Sequence, residues 1–256
     1  MSTSSANSPI SRRNLLRGGT ITALASALSP ALGLGEEGRS ECPRHCKEKP
    51  TPTTPAKALK ALMKGNERWA TFTQCHPHED LARRMSAVNG QFPFATILSC
   101  SDSRVPPELV FDQGIGDLFV ARVAGNCAGG TLTESLYYGT KEQYLGALIL
   151  FVLGHADCGA VKAAIKSYPG PTFEFAELIY PAVEAALSLG GNPNDPKTFI
   201  PLVTEQNVIL GVQLLQNDPE LNGLLITGGI YDLATSRVNM PDVLKAAWAS
   251  TVGPED

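Results

Sequence analysis

The sequence predicts an α/β fold, with one main domain built on a mostly parallel central sheet that helices flank on both faces. Short runs that are apolar throughout alternate along the chain with longer segments of helical periodicity, which is typical of parallel strands covered on both faces. Hydrophobic residues make up 43% of the 256 residues, enough to build a core and to exclude wholesale disorder. The sequence contains no internal repeat that would indicate a solenoid.

Four strands are predicted from short apolar runs bounded by polar or glycine-containing segments, which is typical of buried strands. In chain order these runs are FATILS at 94–99, LFVAR at 118–122, ALILFVL at 147–153 and LNGLLI at 221–226. Ligand sites of such sheets lie beyond the carboxyl ends of the strands. We therefore expect the chemistry of this protein at those ends.

Helices are predicted from apolar residues that recur at helical spacing between the strands. The expected helices span residues 55–71, 131–144, 158–167, 173–189, 202–216 and 241–249. Thr54 and Pro55 suit the N-cap and first position of the first helix. Thr131 and Glu134 have the spacing of a capping box at the start of the second, and Pro181 is expected to bend the fourth.

Residues 1–35 have the pattern of an export signal: a basic stretch, an uncharged apolar stretch and small residues near its end. The run SRRNLLR at 11–17 resembles the twin-arginine type of signal, although an amphipathic or disordered tail with a chance Arg-Arg pair is the alternative. The resemblance implies the twin-arginine export machinery as a partner and a periplasmic or otherwise exported location. No other segment has 18 uninterrupted apolar residues, so we expect no stable membrane span after processing.

Residues 36–55 are charged and proline-rich, which indicates an extended linker, and residues 56–256 are expected to form the catalytic domain. Cys42 and Cys46 in the linker could form a small disulfide loop or a weak metal clip, or be incidental thiols. Removal of the signal takes away three arginines and no acidic residue, which changes the net charge from −4 to −7. This acidity excludes a typical nucleic-acid binder.

Three residues with metal-binding side chains follow two of the predicted strands. Cys100 comes after the first strand, and His155 and Cys158 come after the third. Two thiolates and one imidazole suit a tetrahedral Zn²⁺ with one position free, the arrangement of a catalytic site. A cysteine at a strand end is often only part of the core, but the joint occurrence at two strand ends favours a metal site.

Asp102 and Arg104 follow Cys100 at two-residue steps, so an extended stretch would direct all three side chains to one side. Arg104 can hold the Asp102 carboxylate by a charge-assisted hydrogen bond. The carboxylate could accept a hydrogen bond from a metal-bound hydroxide or, when released from Arg104, become a fourth zinc ligand. A surface ion pair is the alternative interpretation of this spacing.

The segments CSDSRVPPELVFDQGIGDLFVARVAGN (100–126) and GHADCGAVKAA (154–164) closely resemble the β-class carbonic anhydrases. The resemblance implies one zinc ion per chain, held by Cys100, His155 and Cys158, with Asp102 and Arg104 beside it. It implies the reversible hydration of CO₂ to bicarbonate and a proton by attack of a zinc-bound hydroxide. It also implies a homodimer or a larger homo-oligomer.

The same resemblance implies four residues of the substrate pocket. Gln91, often supplied by a neighbouring subunit, Phe119 and Tyr138 match positions that line the pocket, and Gly159 matches a backbone donor beside the zinc. Ala124 is smaller than the valine often found at its position, which indicates a roomier pocket. A roomier pocket leaves one alternative reaction open, hydrolysis of a CO₂-like molecule such as carbonyl sulfide or carbon disulfide. A non-catalytic zinc-binding scaffold is a second alternative, of a different class.

Overall fold

The computed structural model describes residues 51–170 and 173–252 of the chain. They form a five-stranded sheet in the order β2-β1-β3-β4-β5. The first four strands are parallel and β5 is antiparallel to β4, so the predicted α/β fold is confirmed. The strands are β1 (Ala95–Cys100), β2 (Leu118–Val123), β3 (Ile149–His155), β4 (Leu225–Tyr231) and β5 (Val238–Asn239).

Eight α-helices connect and cover these strands in the described part of the chain. They are α1 (Pro55–Ala70), α2 (Leu81–Ala87), α3 (Pro107–Val110), α4 (Gly130–Thr140), α5 (Gly159–Ser167), α6 (Glu174–Ser188), α7 (Pro196–Gln216) and α8 (Asp242–Val252).

The two central strands are buried along their whole length because helices cover both faces of the sheet. Ile97 and Phe151 pack in one apolar cluster together with residues of α1. Their neighbours Leu98 and Val152 point to the other face and pack in a second cluster with residues of α4 and α7. Alternation along the strands thus divides one continuous apolar run between two cores.

The fourth strand lies further along the chain than the sequence predicted, at Leu225–Tyr231 instead of residues 221–226. Leu221 belongs to a 3₁₀ turn that precedes the strand. The predicted strand ends before Gly228 and Gly229 because glycine weakens a strand pattern. A Cβ atom on Gly228 would lie 2.7 Å from the carbonyl oxygen of Val152, so the close packing of this strand requires glycine.

The first helix begins where it was predicted, whereas α4 and α7 have other capping residues than expected and therefore other ends. The first helix begins as predicted, with the Thr54 side chain accepting from the backbone N–H of Lys57. Helix α4 has Gly129 as its N-cap and no side-chain cap, so the capping box is not formed, and the helix ends at Thr140. Helix α7 begins six residues earlier than predicted, at Pro196, because Asp195 caps it and Pro201 is accommodated inside it.

Two helices were not predicted. Helix α3 has only four residues, and helix α2, which follows the N-cap Asp80, has seven residues and no buried residue. Both are shorter than the roughly ten residues over which helical periodicity can be recognised. The proposed signal at residues 1–35 and the linker up to residue 50 lie outside the described residues. Within the described part, only α7 is long and apolar enough to cross a membrane by length and composition. It packs against β3, β4 and α6 as a core helix does.

Candidate metal centre

Three potential ligands meet at the carboxyl ends of two neighbouring strands. Cys100 is the last residue of β1, His155 is the last residue of β3, and Cys158 is the N-cap of α5. Because β1 and β3 pair in parallel, both strands end at the same edge of the sheet. One ligand atom from each of the three buried side chains lies within 4.8 Å of the other two.

The donor atoms of this cluster fit zinc. The Sγ atoms of Cys100 and Cys158 are 3.9 Å apart, close to the roughly 3.8 Å that two Zn–S bonds of about 2.3 Å give at a tetrahedral angle. The Nδ1 of His155 donates to the carbonyl oxygen of Ala156 at 2.9 Å. Its Nε2 therefore carries the lone pair, and this buried atom has no hydrogen-bond partner. An imidazole oriented in this way is typical of a metal ligand.

The two thiols of the cluster differ in acidity because they share a proton. A hydrogen bond from Cys158 lowers the pKa of Cys100 to about 4 against the opposing effect of burial, with further help from the backbone N–H of Gly125. The pKa of Cys158 is raised by the same hydrogen bond and by burial. Without metal, the hydrogen-bonded pair thus favours one thiolate and one thiol.

Asp102 and Arg104 form a two-pronged ion pair at the edge of the cluster. Arg104 donates from Nε to Oδ1 at 2.9 Å and from Nη2 to Oδ2 at 2.7 Å. These hydrogen bonds are the main reason that the pKa of Asp102 lies below its ordinary value. The Oδ2 of Asp102 is 3.8 Å from the Nε2 of His155, so the carboxylate faces the place where the ligands converge. A turn at residues 103–104, not an extended stretch, brings the pair together.

Two residues that the sequence argument did not select hold the loop of the cluster in place. Arg122 donates from Nε to the carbonyl oxygen of Cys100 at 2.9 Å and from Nη2 to that of Asp102 at 2.6 Å. Gly125 donates its N–H to the Sγ of Cys100 at 3.3 Å and has a φ of 75°. A Cβ there would lie 2.7 Å from Ile179. The glycine-rich turn was a weak signal for this role.

A third residue outside the prediction extends the charge pattern to the surface. Asp157 lies one residue before the ligand Cys158, and its Oδ2 is 4.0 Å from Nη1 of Arg104. It also contacts Lys162. All three of these charged side chains are substantially exposed, so alternating charges run from the ligand cluster to solvent.

The predicted pocket residues are only partly assembled. The ring of Phe119 is 5.9 Å from that of Tyr138, which is 45% exposed and stacks on Tyr144. Gly159 begins α5 directly after Cys158. Gln91 is exposed and precedes β1, and no described contact links it to the ligand cluster. The metal ligands and the Asp102–Arg104 pair are therefore together in one chain, whereas a role for Gln91 stays a prediction.

Known proteins resemble this chain in sequence and in fold. The family model described as carbonic anhydrase matches residues 95–238, more than half of the chain. Carbonic anhydrase 2 of Mycobacterium tuberculosis is 42% identical over 115 residues, which cover 45% of this chain and 55% of that protein. A carbonic anhydrase of Synechococcus elongatus is 28% identical over 200 residues, 70% of each chain.

A tetrameric β-carbonic anhydrase of the ascomycete Sordaria macrospora has a similar structure. The TM-score is 0.54 at 21% identity, over 72% of this chain and 96% of that one, which supports the fold. The present chain spans only about half the length of the Mycobacterium relative, 55%.

The parallel sheet with a Cys/His/Cys cluster at its carboxyl edge defines an α/β protein with a zinc site of the catalytic type, in which three protein ligands leave one position free. The match of the family model to more than half of the chain identifies the family. The chain belongs to the carbonic anhydrase family, and its fold is that of the β-class.

Proposed function

We propose that this protein catalyses the reversible hydration of CO₂ to bicarbonate and a proton. The observation that carries the proposal is the position of the ionised Asp102 carboxylate beside three converging zinc ligands. A zinc site that only stabilises the fold typically has four protein ligands. This cluster has three, and a carboxylate lies beside them. Membership of the carbonic anhydrase family supports the same reaction.

Cys100, His155 and Cys158 are the residues that would hold the zinc ion. Zinc bound there supplies a Lewis acid that lowers the pKa of a bound water towards about 7, so that a nucleophile forms at neutral pH. The chain fixes the imidazole ligand through the hydrogen bond from Nδ1 to Ala156. It also stabilises the thiolate of Cys100 through the N–H of Gly125.

Asp102 is the proton acceptor nearest to the ligand cluster. Arg104 keeps its carboxylate ionised and fixes its direction with two hydrogen bonds. A carboxylate held in this way can accept a hydrogen bond from the nucleophile and orient it, but it cannot donate one in the pH range of the enzyme. Phe119, predicted to be part of the apolar wall, is half-buried and suits a small apolar substrate such as CO₂ better than a charged one.

The test compares two cysteine variants in a stopped-flow assay of CO₂ hydration, with zinc per chain measured on the same samples. Cys158→Ser is expected to lose the metal and to lower kcat/KM by more than about 100-fold, beyond the 10–100-fold typical of losing an outer-shell partner. Cys127→Ser is the matched control, since Cys127 is also a buried free cysteine but lies outside the ligand cluster. Full activity of Cys158→Ser without zinc would contradict the proposal.

A second variant separates catalysis from metal binding. Asp102→Asn keeps the size of the side chain but removes its charge, so zinc content should stay near one per chain while kcat/KM falls by about 10–100-fold. If Asp102→Asn kept the activity of the unaltered protein, the mechanism assigned to the carboxylate would be wrong even though the metal site stood.

We propose that the protein acts as a homodimer or a larger homo-oligomer. Helix α2 has no buried residue, and Leu81, Met85, Val88 and Phe92 on and after it are between 64% and 80% exposed. Four exposed apolar side chains within twelve residues favour an interface between protomers. Light scattering after size-exclusion chromatography should give at least twice the chain mass, and Met85→Glu should lower it; a monomer at micromolar concentration would contradict this proposal.

We also propose that the chain is exported with its signal at residues 1–35 by the twin-arginine route. The run at residues 11–17 supports this proposal, as does a disulfide at Cys75, because disulfides persist mainly in oxidising compartments. Replacement of Arg12 and Arg13 by lysine should leave the protein in the cytosolic fraction. Unchanged export of that variant would argue against the route.

A further inference from the structure

Cys75 points to a covalent link that the proposed activity does not use. Its half-buried side chain is disulfide-bonded, and the three other cysteines in the described part of the chain are free. The sequence contains two more cysteines, Cys42 and Cys46, both in the proline-rich linker. We propose that one of these two linker cysteines pairs with Cys75 and so ties the linker covalently to the catalytic domain.

The dimensions of the linker suit this pairing. Helix α1 begins at Pro55 and has 16 residues, so at 1.5 Å per residue it is about 24 Å long. Cys75 follows shortly after its C-terminal end. Eight residue steps separate Cys46 from the N-cap Thr54, and at 3.1 Å per residue such a length of chain can span about 25 Å. It is therefore long enough for Cys46 to reach Cys75, and Cys42 has four residues to spare.

Contacts made by the folded domain hold Cys75 in position. The carboxylate of Asp112, which is 2% exposed and paired with Arg68, accepts from the backbone N–H of Cys75 and of His76 at about 3.0 Å. These hydrogen bonds connect the Cys75 loop to the turn after α3 without help from the disulfide. The domain thus presents Cys75 to its partner at a fixed place.

The opposite side of the loop is fixed by close packing. The Nδ1 of His78 lies 2.7 Å from the buried carboxylate of Asp117. Gly114 touches the loop so closely that a Cβ there would lie 1.9 Å from the carbonyl oxygen of Pro77. Such a loop is rigid on both sides of the cysteine, which favours one disulfide partner over random thiol pairing.

Bond formation needs an external disulfide, such as oxidised glutathione or a thiol–disulfide oxidase of an oxidising compartment. A thiolate of the pair attacks that disulfide and forms a mixed disulfide, and the other thiolate then displaces the donor. The two cysteines lose two protons and two electrons, and the donor is reduced to its thiols. The link is independent of the proposed CO₂ hydration, because none of its residues belongs to the ligand cluster.

Trypsin can identify the partner because it separates all three candidates. Cys42 falls in Ser40–Arg44, Cys46 in His45–Lys47 and Cys75 in Trp69–Arg83. The zinc-loaded full chain is equilibrated with oxidised and reduced glutathione, free thiols are alkylated, and the digest is analysed by mass spectrometry without reduction. We expect Trp69–Arg83 linked to one of the two linker peptides. Alkylated Cys75, a link between Cys42 and Cys46, or a Cys75–Cys75 link between two chains would overturn the proposal.

Thermal unfolding provides an independent test. Closing a loop of about 30 residues predicts that oxidised protein melts about 5–10 °C higher than protein without the link. Cys75→Ser and the double variant Cys42→Ser/Cys46→Ser should lose the same increment under oxidising conditions, and all three proteins should coincide under reducing conditions. The double variant changes only the linker, so it tests the proposal even if Cys75→Ser folds poorly. If the double variant had the same Tm as the unaltered protein under oxidising conditions, the proposed disulfide would be refuted.

Discussion

Replacement of Asp112 by alanine should be among the most destabilising single changes at the surface loops of this domain. The side chain of Asp112 is 2% exposed and that of its partner Arg68 is 15% exposed. The carboxylate also accepts from the N–H of Cys75 and of His76. Asp112→Ala therefore leaves Nε of Arg68 and two backbone donors without their acceptor, while Nη2 of Arg68 keeps only the backbone carbonyl oxygen of residue 112.

The magnitude follows from the burial of the partners. Breaking a buried ion pair by removing one member costs about 3–5 kcal/mol. We expect the lower end, about 3 kcal/mol, because the Arg68 side chain keeps some access to solvent. For a domain of about 200 residues, this corresponds to a fall in Tm of about 6–12 °C. Asp112→Asn keeps one acceptor oxygen and should lie between the unaltered protein and the alanine variant.

Urea unfolding followed by tryptophan fluorescence measures this effect, because Trp69 follows Arg68 directly. Asp242→Ala is the matched control: Asp242 also pairs with a cation, Lys245, but its side chain is 98% exposed, so its loss should have no measurable effect. All variants are compared with the Cys75 disulfide in the same redox state. A cost below about 1 kcal/mol for Asp112→Ala would refute the argument that burial of this pair controls the stability of the loop.

Three further predictions concern zinc binding by the ligand cluster and two substitutions in the packed interior. Zinc binding at pH 8 should release one proton from the two cysteine ligands, and affinity should rise about tenfold per pH unit, because the pKa of Cys100 is lowered to about 4 and that of Cys158 is raised. Gly139→Ala places a Cβ 2.6 Å from the Phe119 ring, so it should cost about 1–3 kcal/mol and lower kcat/KM. Asn66→Ala removes three hydrogen bonds to the backbone, two of them buried, and should cost about 2–4 kcal/mol.

Each of these three expectations has a measurement that can contradict it. Calorimetric zinc titration in buffers of different ionisation enthalpy counts the protons, and release of two from the thiols would mean that both are protonated in the metal-free site. Gly139→Ala with unchanged stability and kinetics would mean that the Phe119 ring yields freely. For Asn66→Ala, denaturant unfolding is compared with Asn194→Ala, which changes an exposed asparagine.

Much of the metal centre could be predicted because strand burial and ligand chemistry both depend directly on residue type. Continuous apolar runs located β1 and β3 to within about two residues, and the cysteines and histidine at their ends have the right donor atoms for zinc. The roles of Arg122 and Gly125 could not be predicted, because a buried hydrogen bond across 22 or 25 residues leaves no local pattern. Helix α2 was missed for a different reason, since its seven residues are too few for the helical spacing of Leu81 and Met85 to stand out.

The sequence by itself determined the fold class, the three ligand types and the acidic character of the chain, because each depends on local periodicity or on composition. Only the tertiary structure decided that Cys100 and His155 meet, since parallel pairing of β1 with β3 brings together residues 55 positions apart. The tertiary structure also decided the direction of the pKa shifts of Asp102 and the two thiols. The pKa of Asp102 lies low because a turn places Arg104 against it, and the thiols share a proton because their sulfurs lie 3.9 Å apart. Distances between side chains follow from packing, and packing is set by the whole chain.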